Sequence, residues 1–477
     1  MELLAPAGGM EQLRAAVRFG ADAVYLAADR FGMRARAANF ALADIPEAVA
    51  FAHAAGVKVH VTCNVLMTPD DIDALPAYLR ALDAAGVDAL IIGDMGAFAL
   101  AREHAPHVDL HVSTQASVAN AAAARVWHAL GARRVVCARE MSLADIARLR
   151  QDAPPDLEIE AFAHGAMCMA VSGRCLISSY LTGRSGNKGH CTQPCRWSYT
   201  LGELAEGGED MGACDADSGA CGAASGGTRL VLEEEKRPGE FFPIEQDGRG
   251  TFIMNAKDLC MIEHLDALAA AGVDSIKIEG RNKKAFYVAC VVGAYRRALD
   301  GAPIPEVLPE VYAVSHRPYG TGFYFGEAEQ APAYDGYEQE TMHVADVVEG
   351  GEADAFSIVA RCRNRFAEGD ELEVLAPHAP VRALRVRNLT WLPDPTDDDP
   401  APAPVPVPVA NRSCNRYRFE AEWVREGAPA KSDTTAENEA FAEGGALASG
   451  SAPAPSFAVP AGSFLRVRKF RRSARHG

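Results

Sequence analysis

Cysteine and histidine crowd one stretch of this sequence. His164, Cys168, Cys175, His190, Cys191 and Cys195 fall within a few turns of chain of one another. Four thiolates favour zinc or an iron–sulfur cluster. Structural zinc usually takes tight pairs with two to four intervening residues, and only Cys191/Cys195 has that spacing. Irregular spacing on a long segment suits a cluster better. A thiol pair for redox exchange is the third option, but no Cys-x-x-Cys is present here. Cys214 and Cys221 lie in a Gly/Ala/Ser/Asp-rich stretch and are not expected to be ligands, whereas Cys63, Cys137, Cys290 and Cys362 read as buried structural cysteines. His164 directly follows an apolar run, where it could transfer a proton or hydrogen-bond a cluster sulfur.

Three further groups carry chemistry. Lys277, Glu279 and Arg281 alternate, so they share one face of a strand while Ile276 and Ile278 take the other. Charged residues facing a barrel interior are costly unless paired, which points to an ion pair or a catalytic role for Lys277 and Glu279. Arg34, Arg36 and Asn39 follow the second strand and could meet a phosphate or a dicarboxylate. Asn64, Asp94, Ser113, Gln115 and Glu140 stand at or just past strand ends, where some should line a pocket.

The elements that must position these residues repeat one pattern. Short apolar runs (Glu2–Pro6, Ala23–Ala27, Val57–Cys63, Ala89–Ile92, Leu110–Ser113, Arg134–Ala138 and Glu158–Ala163) alternate with amphipathic, Ala-rich stretches. Ser275–Glu279 supplies an eighth run, followed by a helix over Lys283–Leu299. Eight β/α units predict a TIM-type (β/α)8-like barrel, with active-site residues at the C-terminal strand ends. No Gly-x-Gly-x-x-Gly follows the first strand, so an open dinucleotide-binding sheet lacks support. The cysteine-rich segment is inserted between the seventh and eighth strands as a cap over 164–270, with a flexible insertion at about 207–227. Lys257–Ala270 reads as a helix. The barrel domain spans 1–335. Residues 336–477 form a small all-β, barrel-like domain with low-complexity insertions at 393–408 and 427–455.

The chain has 477 residues, 48% of them hydrophobic and 23% charged, which is globular usage over two or three domains. No apolar run is long enough to span a membrane, and Met1–Pro6 reads as a strand, not a signal peptide. A cytoplasmic protein is expected. The net charge of −17 argues against non-specific nucleic-acid binding. Basic segments at Arg361–Arg365, Arg382–Arg387 and Arg466–Arg475 nevertheless give the last domain a charge asymmetry that could hold phosphates.

The run Glu160-Ala-Phe162-Ala-His-Gly165-Ala166-Met167-Cys168, continuing to Gly173-Arg-Cys175-Leu-Ile177-Ser178, resembles the signature of the collagenase-like peptidase family U32. The resemblance extends through Leu4-Ala5-Pro6-Ala7-Gly8, Asn39-Phe40, Ser113-Thr114-Gln115, Asn255–Cys260 and Lys277–Arg281. It implies an iron–sulfur enzyme that installs hydroxyl groups on RNA or on quinone precursors, with a [4Fe–4S] cluster held by Cys168, Cys175, Cys191 and Cys260. Cys195 is the rival for the fourth place. The added β domain resembles the branch that makes 5-hydroxyuridine at the tRNA wobble position. It implies tRNA and prephenate as partners. From their places at the barrel's strand ends, His164, Lys277 and Glu279 are expected to be catalytic, and Arg34, Arg36, Asn39, Asn64, Gln115 and Arg281 to bind substrate. The alternatives are a collagenase-like peptidase, or hydroxylation of ribosomal RNA or a quinone precursor. No His-Glu-x-x-His or Gly-x-Ser-x-Gly motif supports proteolysis.

Overall fold

The computed structural model describes residues 1–33, 39–167, 178, 182, 184, 189–194, 197–204, 229–235, 241–243, 246–247, 250–251, 257–326, 337–352, 355–395, 402–424 and 458–468. Within these, no helix is long and apolar enough to cross a membrane. Two compact units emerge. One comprises Met1–Leu13, Ala21–Lys283 and His316–Glu338, and the other Arg14–Gly20, Lys284–Ser315 and Gln339–Gly477.

The first unit is built on a closed parallel barrel. Its strands are β1 (Glu2–Pro6), β2 (Ala23–Leu26), β3 (Lys58–Cys63), β4 (Ala89–Ile92), β5 (Asp109–Val112), β6 (Arg134–Val136) and β7 (Glu158–Gly165). Strands β8 (Tyr199–Leu204), β9 (Arg229–Glu234) and β10 (Phe241–Pro243) form a separate antiparallel sheet, and β11 (Asp258–Cys260) follows. β12 (Ser275–Ile278) closes the ring by pairing in parallel with both β7 and β1. The strands are buried on both faces, which is why they read as short continuous apolar runs. Gly20, Gly86 and Gly272 take positive φ just before the next strand, the left-handed turn that the helix-ending glycines predict.

The sequence reading fails at Lys257–Ala270. Asp258–Cys260 is a strand, antiparallel to the end of β7, with Leu259 opposite Gly165 and Cys260 opposite His164. The helix begins only at Leu265. Edge pairing wins because the Asp258 carboxylate accepts the Arg317 backbone N–H and Met261 N–H reaches the Ala163 carbonyl.

The second unit contains β13 (Thr341–Glu349), β14 (Ala355–Cys362), β15 (Glu371–Leu375), β16 (Arg382–Leu392), β17 (Arg416–Trp423) and β18 (Phe464–Arg468). They close a six-stranded antiparallel barrel in the order β15-β18-β13-β14-β17-β16. Its interior holds Val344, Ile358, Val374, Leu384, Tyr417 and Phe419. The segment Lys284–Ser315 groups with these strands, across the boundary expected at 335/336. The physical reason is specific. Phe286 stacks on His343 and packs on Phe464, and Arg466 is clamped bidentately by Glu310 at 2.6 and 2.9 Å.

Candidate active site at the C-terminal mouth of the barrel

Strands β2–β7 and β12 deliver Tyr25, Thr62, Asn64, Ile91, Ser113, Gln115, Arg139, Phe162, Lys277, Glu279 and Arg281 to one pocket of about 70 Å³. It opens where the strands end, the face on which barrel enzymes build their sites. Two glycines permit the close backbone approach this needs. Gly165 has φ +106°, and a Cβ there would lie 2.6 Å from the Glu279 carbonyl oxygen. A Cβ on Gly8 would lie 1.9 Å from the Arg281 carbonyl oxygen.

Beneath the pocket lies a buried charge network. Lys277 Nζ donates to Glu160 Oε1 at 2.8 Å, and Arg134 Nη1 reaches Glu160 Oε2 at 3.1 Å. Arg134 also binds both oxygens of Glu2, at 2.6 and 3.1 Å, and Glu158 at 2.8 Å. Burial pushes the Glu160 carboxyl up, but Lys277 and Arg134 outweigh it and hold it below its ordinary value. Glu2 is likewise drawn down to about 2 against its burial by the bonded Arg134. Burial lowers the Lys277 ammonium, opposed by Glu160. The ammonium also lies 4.4 Å from the Tyr25 ring centroid and 5.7 Å from that of Phe162.

The outer wall is fixed by hydrogen bonds. Asn64 Nδ2 donates to Ser113 Oγ at 3.3 Å and Asn64 Oδ1 accepts from Met33 N at 3.2 Å. Arg281 donates to Thr62 Oγ1 at 3.1 Å and to the Met33 carbonyl. Arg139 lies 3.8 Å over the Phe162 ring, donates to the Ala166 carbonyl at 2.7 Å and faces Glu279 Oε2 at 3.5 Å.

The structure therefore brings Lys277, Glu279, Arg281, Asn64 and Gln115 together. Asn39 is half-buried with φ +44° and is not part of the pocket wall. Arg34 and Arg36 lie outside the described residues. His164 is buried against Tyr319, with ring centroids 5.2 Å apart, and is not among the residues lining this pocket. A shift in pairing between Lys277 and Ile278 carries it past the inward position that Glu160 and Phe162 occupy. Sequence reasoning missed Arg139, Arg134 and Glu160. The signal was there in Glu160 and Phe162, which alternate in register inside an otherwise apolar strand.

His60 and His111 meet edge to face inside the barrel at 4.8 Å. Burial holds His60 down to about 4 and His164 down to about 3, and keeps His111 well below its ordinary value. An imidazole kept neutral in the fold opposes folding once the unfolded chain protonates. Stability is therefore fully present above about pH 6.5 and falls below it, by roughly 1.4 kcal/mol per pH unit for each such histidine. Urea titrations between pH 7 and pH 5 test this, with His60→Asn expected to flatten the slope by about one proton. An unchanged slope in that variant would overturn the assignment.

Of the expected cluster ligands, Cys191 and Cys260 are described, and Cys168, Cys175 and the rival Cys195 lie outside. Both described thiols are half-buried, and neither is in a disulfide. Cys191 Sγ accepts the Gln193 backbone N–H at 3.4 Å. Cys63 and Cys137 differ in kind, since burial pushes each thiol up to about 12 and makes it a poor ligand. The two described donors thus fit a thiolate-ligated group. Among the described residues no three His, Cys, Asp or Glu side chains gather to hold a metal ion.

The family model for peptidase family U32 matches residues 8–333, more than half of the chain. The chain belongs to this family. Over 399 residues it is 35% identical to tRNA hydroxylation protein P of Escherichia coli K12, an alignment covering 80% of this chain and 87% of that protein. It is 37% identical over 300 residues to the 23S rRNA 5-hydroxycytidine synthase of E. coli K12, covering 63% of this chain and 39% of the synthase. It is also 30% identical over 344 residues to a U32-family relative, the collagenase of Porphyromonas gingivalis W83, covering 68% of this chain and 74% of the collagenase.

Proposed function

We propose that this protein hydroxylates tRNA, converting the wobble uridine to 5-hydroxyuridine with a [4Fe–4S] cluster and prephenate as its small-molecule partner. One observation carries the choice of RNA. The alignment runs through nearly all of the E. coli tRNA hydroxylation protein, whereas most of the rRNA synthase has no counterpart in this chain. The pocket supports the reading, because Lys277, Arg139 and Arg281 outnumber the one carboxylate in its wall, Glu279, and so favour an anionic small molecule. The uridine has to leave its stack to be modified.

In this reading Cys168, Cys175, Cys191 and Cys260 hold the cluster, which supplies one-electron chemistry when bound. Lys277 and Glu279 hold and move protons at the pocket wall, and Arg281, Asn64 and Gln115 orient the bound molecules. Proteolysis is disfavoured by the same wall. Among the described residues it contains Ser113 but no histidine, and Ser113 Oγ accepts from Asn64 and from the Gln115 backbone. An acyl-transfer nucleophile needs an adjacent base.

Nucleoside analysis of tRNA from a deletion strain is the test. Loss of 5-hydroxyuridine, restored by the intact gene, is the expected result. Unchanged tRNA nucleosides would overturn it.

A further inference from the structure

The basic segments flagged in the sequence divide sharply in the second unit. Arg466 is buried and bound to Glu310 and Glu373, Arg385 pairs with Glu371, and Arg387 faces Glu422 at 3.6 Å. Each of these cations faces a carboxylate. A second set is dominated by like charge. Arg361 on β14 stands directly opposite Arg416 on β17, and Arg418 lies two residues further along β17. Tyr417 and Phe419 point into the core, so Arg416 and Arg418 share the outer face. Like charges directly opposite one another in a sheet are destabilising, so this pairing opposes folding. Asp394 meets Arg416 at 3.4 Å, but both side chains are well exposed, which makes that pair weak. Further along the same face the outward residues change to Glu420 and Glu422, so the positive charge is confined to one end.

That end carries a pocket of about 350 Å³ lined by Trp391, Val407, Pro408, Val409, Asn411, Arg412 and Tyr417. The volume lies within the range of small-ligand sites. The Trp391 indole N–H donates to Asn415 Oδ1 at 2.9 Å, which fixes the ring, and the Arg412 guanidinium lies 3.9 Å over its centroid. Arg412 is exposed, and among the described residues no carboxylate pairs with it. An oriented aromatic ring, a cation on its face and, on the outer face of the same strand ends, a basic stripe are the parts a single-stranded nucleic acid needs: stacking for a base, charge for the backbone.

We infer that the Trp391–Arg412 pocket receives an unstacked base of an RNA strand whose phosphates lie along Arg361, Arg416 and Arg418. RNA as the occupant rests on the function proposed above. The site belongs to the second unit and contributes affinity, not chemistry.

The test is fluorescence anisotropy on the full-length protein with labelled total tRNA, repeated across a salt series. A single-stranded 12-nucleotide RNA and its duplex serve as competitors. Trp391→Leu and Arg412→Ala are each expected to weaken binding about tenfold. Arg361→Ala with Arg418→Ala should flatten the dependence of log affinity on log salt by about 0.7 per charge removed. Arg385→Ala, a cation already engaged by Glu371, should change neither quantity, and the single strand should compete better than the duplex. Arg412 is exposed, so its loss leaves the fold intact even if Trp391→Leu does not. Wild-type affinity and slope in Arg412→Ala and in the Arg361/Arg418 variant would overturn the site, as would an equal loss in Arg385→Ala. If the variants behave as expected while a deletion strain keeps its 5-hydroxyuridine, the RNA surface stands and the reaction assigned to the barrel falls.

Discussion

Lys277→Met is expected to abolish tRNA hydroxylation and to destabilise the protein by about 3–5 kcal/mol. The energetic half follows from burial. Lys277 is 5% exposed and Glu160 is 0% exposed, with 2.8 Å between their charged atoms. Removing the ammonium leaves the Glu160 carboxylate with Arg134 alone, inside a barrel where an unpaired charge is costly. The sign of the pH dependence separates this from a packing defect. In the native protein Glu160 lies below its ordinary value, so its contribution is present above about pH 4.5 and is lost as pH falls. In Lys277→Met burial is less opposed and the carboxyl rises, so the variant should be relatively less destabilised at pH 5 than at pH 7.5. Urea denaturation of Lys277→Met, Glu160→Gln and the double variant completes the cycle. A coupling below about 0.5 kcal/mol would mean the pair does not hold the network together. The catalytic half has its own readout: a folded Lys277→Met protein with unchanged kcat would remove Lys277 from the chemistry. Glu160→Gln should keep the fold better and shift the pH profile of kcat, as expected of a residue that positions Lys277.

The barrel was legible because its signals are local and repeated. Each strand is a short run flanked by helix caps and glycine turns, and all eight runs recur within a residue or two of their expected ends. The alternation of Lys277, Glu279 and Arg281 likewise placed them in one wall. What was not legible depends on partners distant in sequence. Arg466 looked like part of a basic tail, yet it is the middle of a barrel strand and 1% exposed, because Glu310 and Glu373 are brought to it. His164 was expected just past the seventh strand, and it is instead the penultimate residue of β7, beside a shift in pairing with β12. Asp258–Cys260 looked helical by composition, and an available strand edge captured it. Charge on a sequence is therefore a weak guide to a surface. In the second unit Arg385, Arg387 and Arg466 of the basic segments face carboxylates, whereas Arg361 of another basic segment stands opposite Arg416, and Arg412 and Arg418 lie outside those segments.

Cys260→Ser is expected to strip iron from anaerobically purified protein, from about four irons and four sulfides per chain to none or a degraded remnant, and Cys195→Ser to leave the content unchanged. Cys260 ends β11, where its backbone pairs with His164, four residues before Cys168 in the sequence, so β11 runs back along the end of β7. The Cys260 thiol is half-buried, whereas burial pushes the fully buried Cys63 and Cys137 thiols up and makes them poor ligands. Cys63→Ala and Cys137→Ala should therefore retain full iron and lose only the stability of a small buried side chain, about 1 kcal/mol. Cys191→Ser should behave as Cys260→Ser does, and the loss should appear in the visible absorption spectrum as well as in the metal assay. Iron lost from Cys195→Ser and kept in Cys260→Ser would move the fourth ligand to Cys195. Zinc in place of iron, or iron indifferent to all four substitutions, would remove the cluster from the proposed reaction while leaving the barrel pocket and its Lys277–Glu160 pair to be explained by other chemistry.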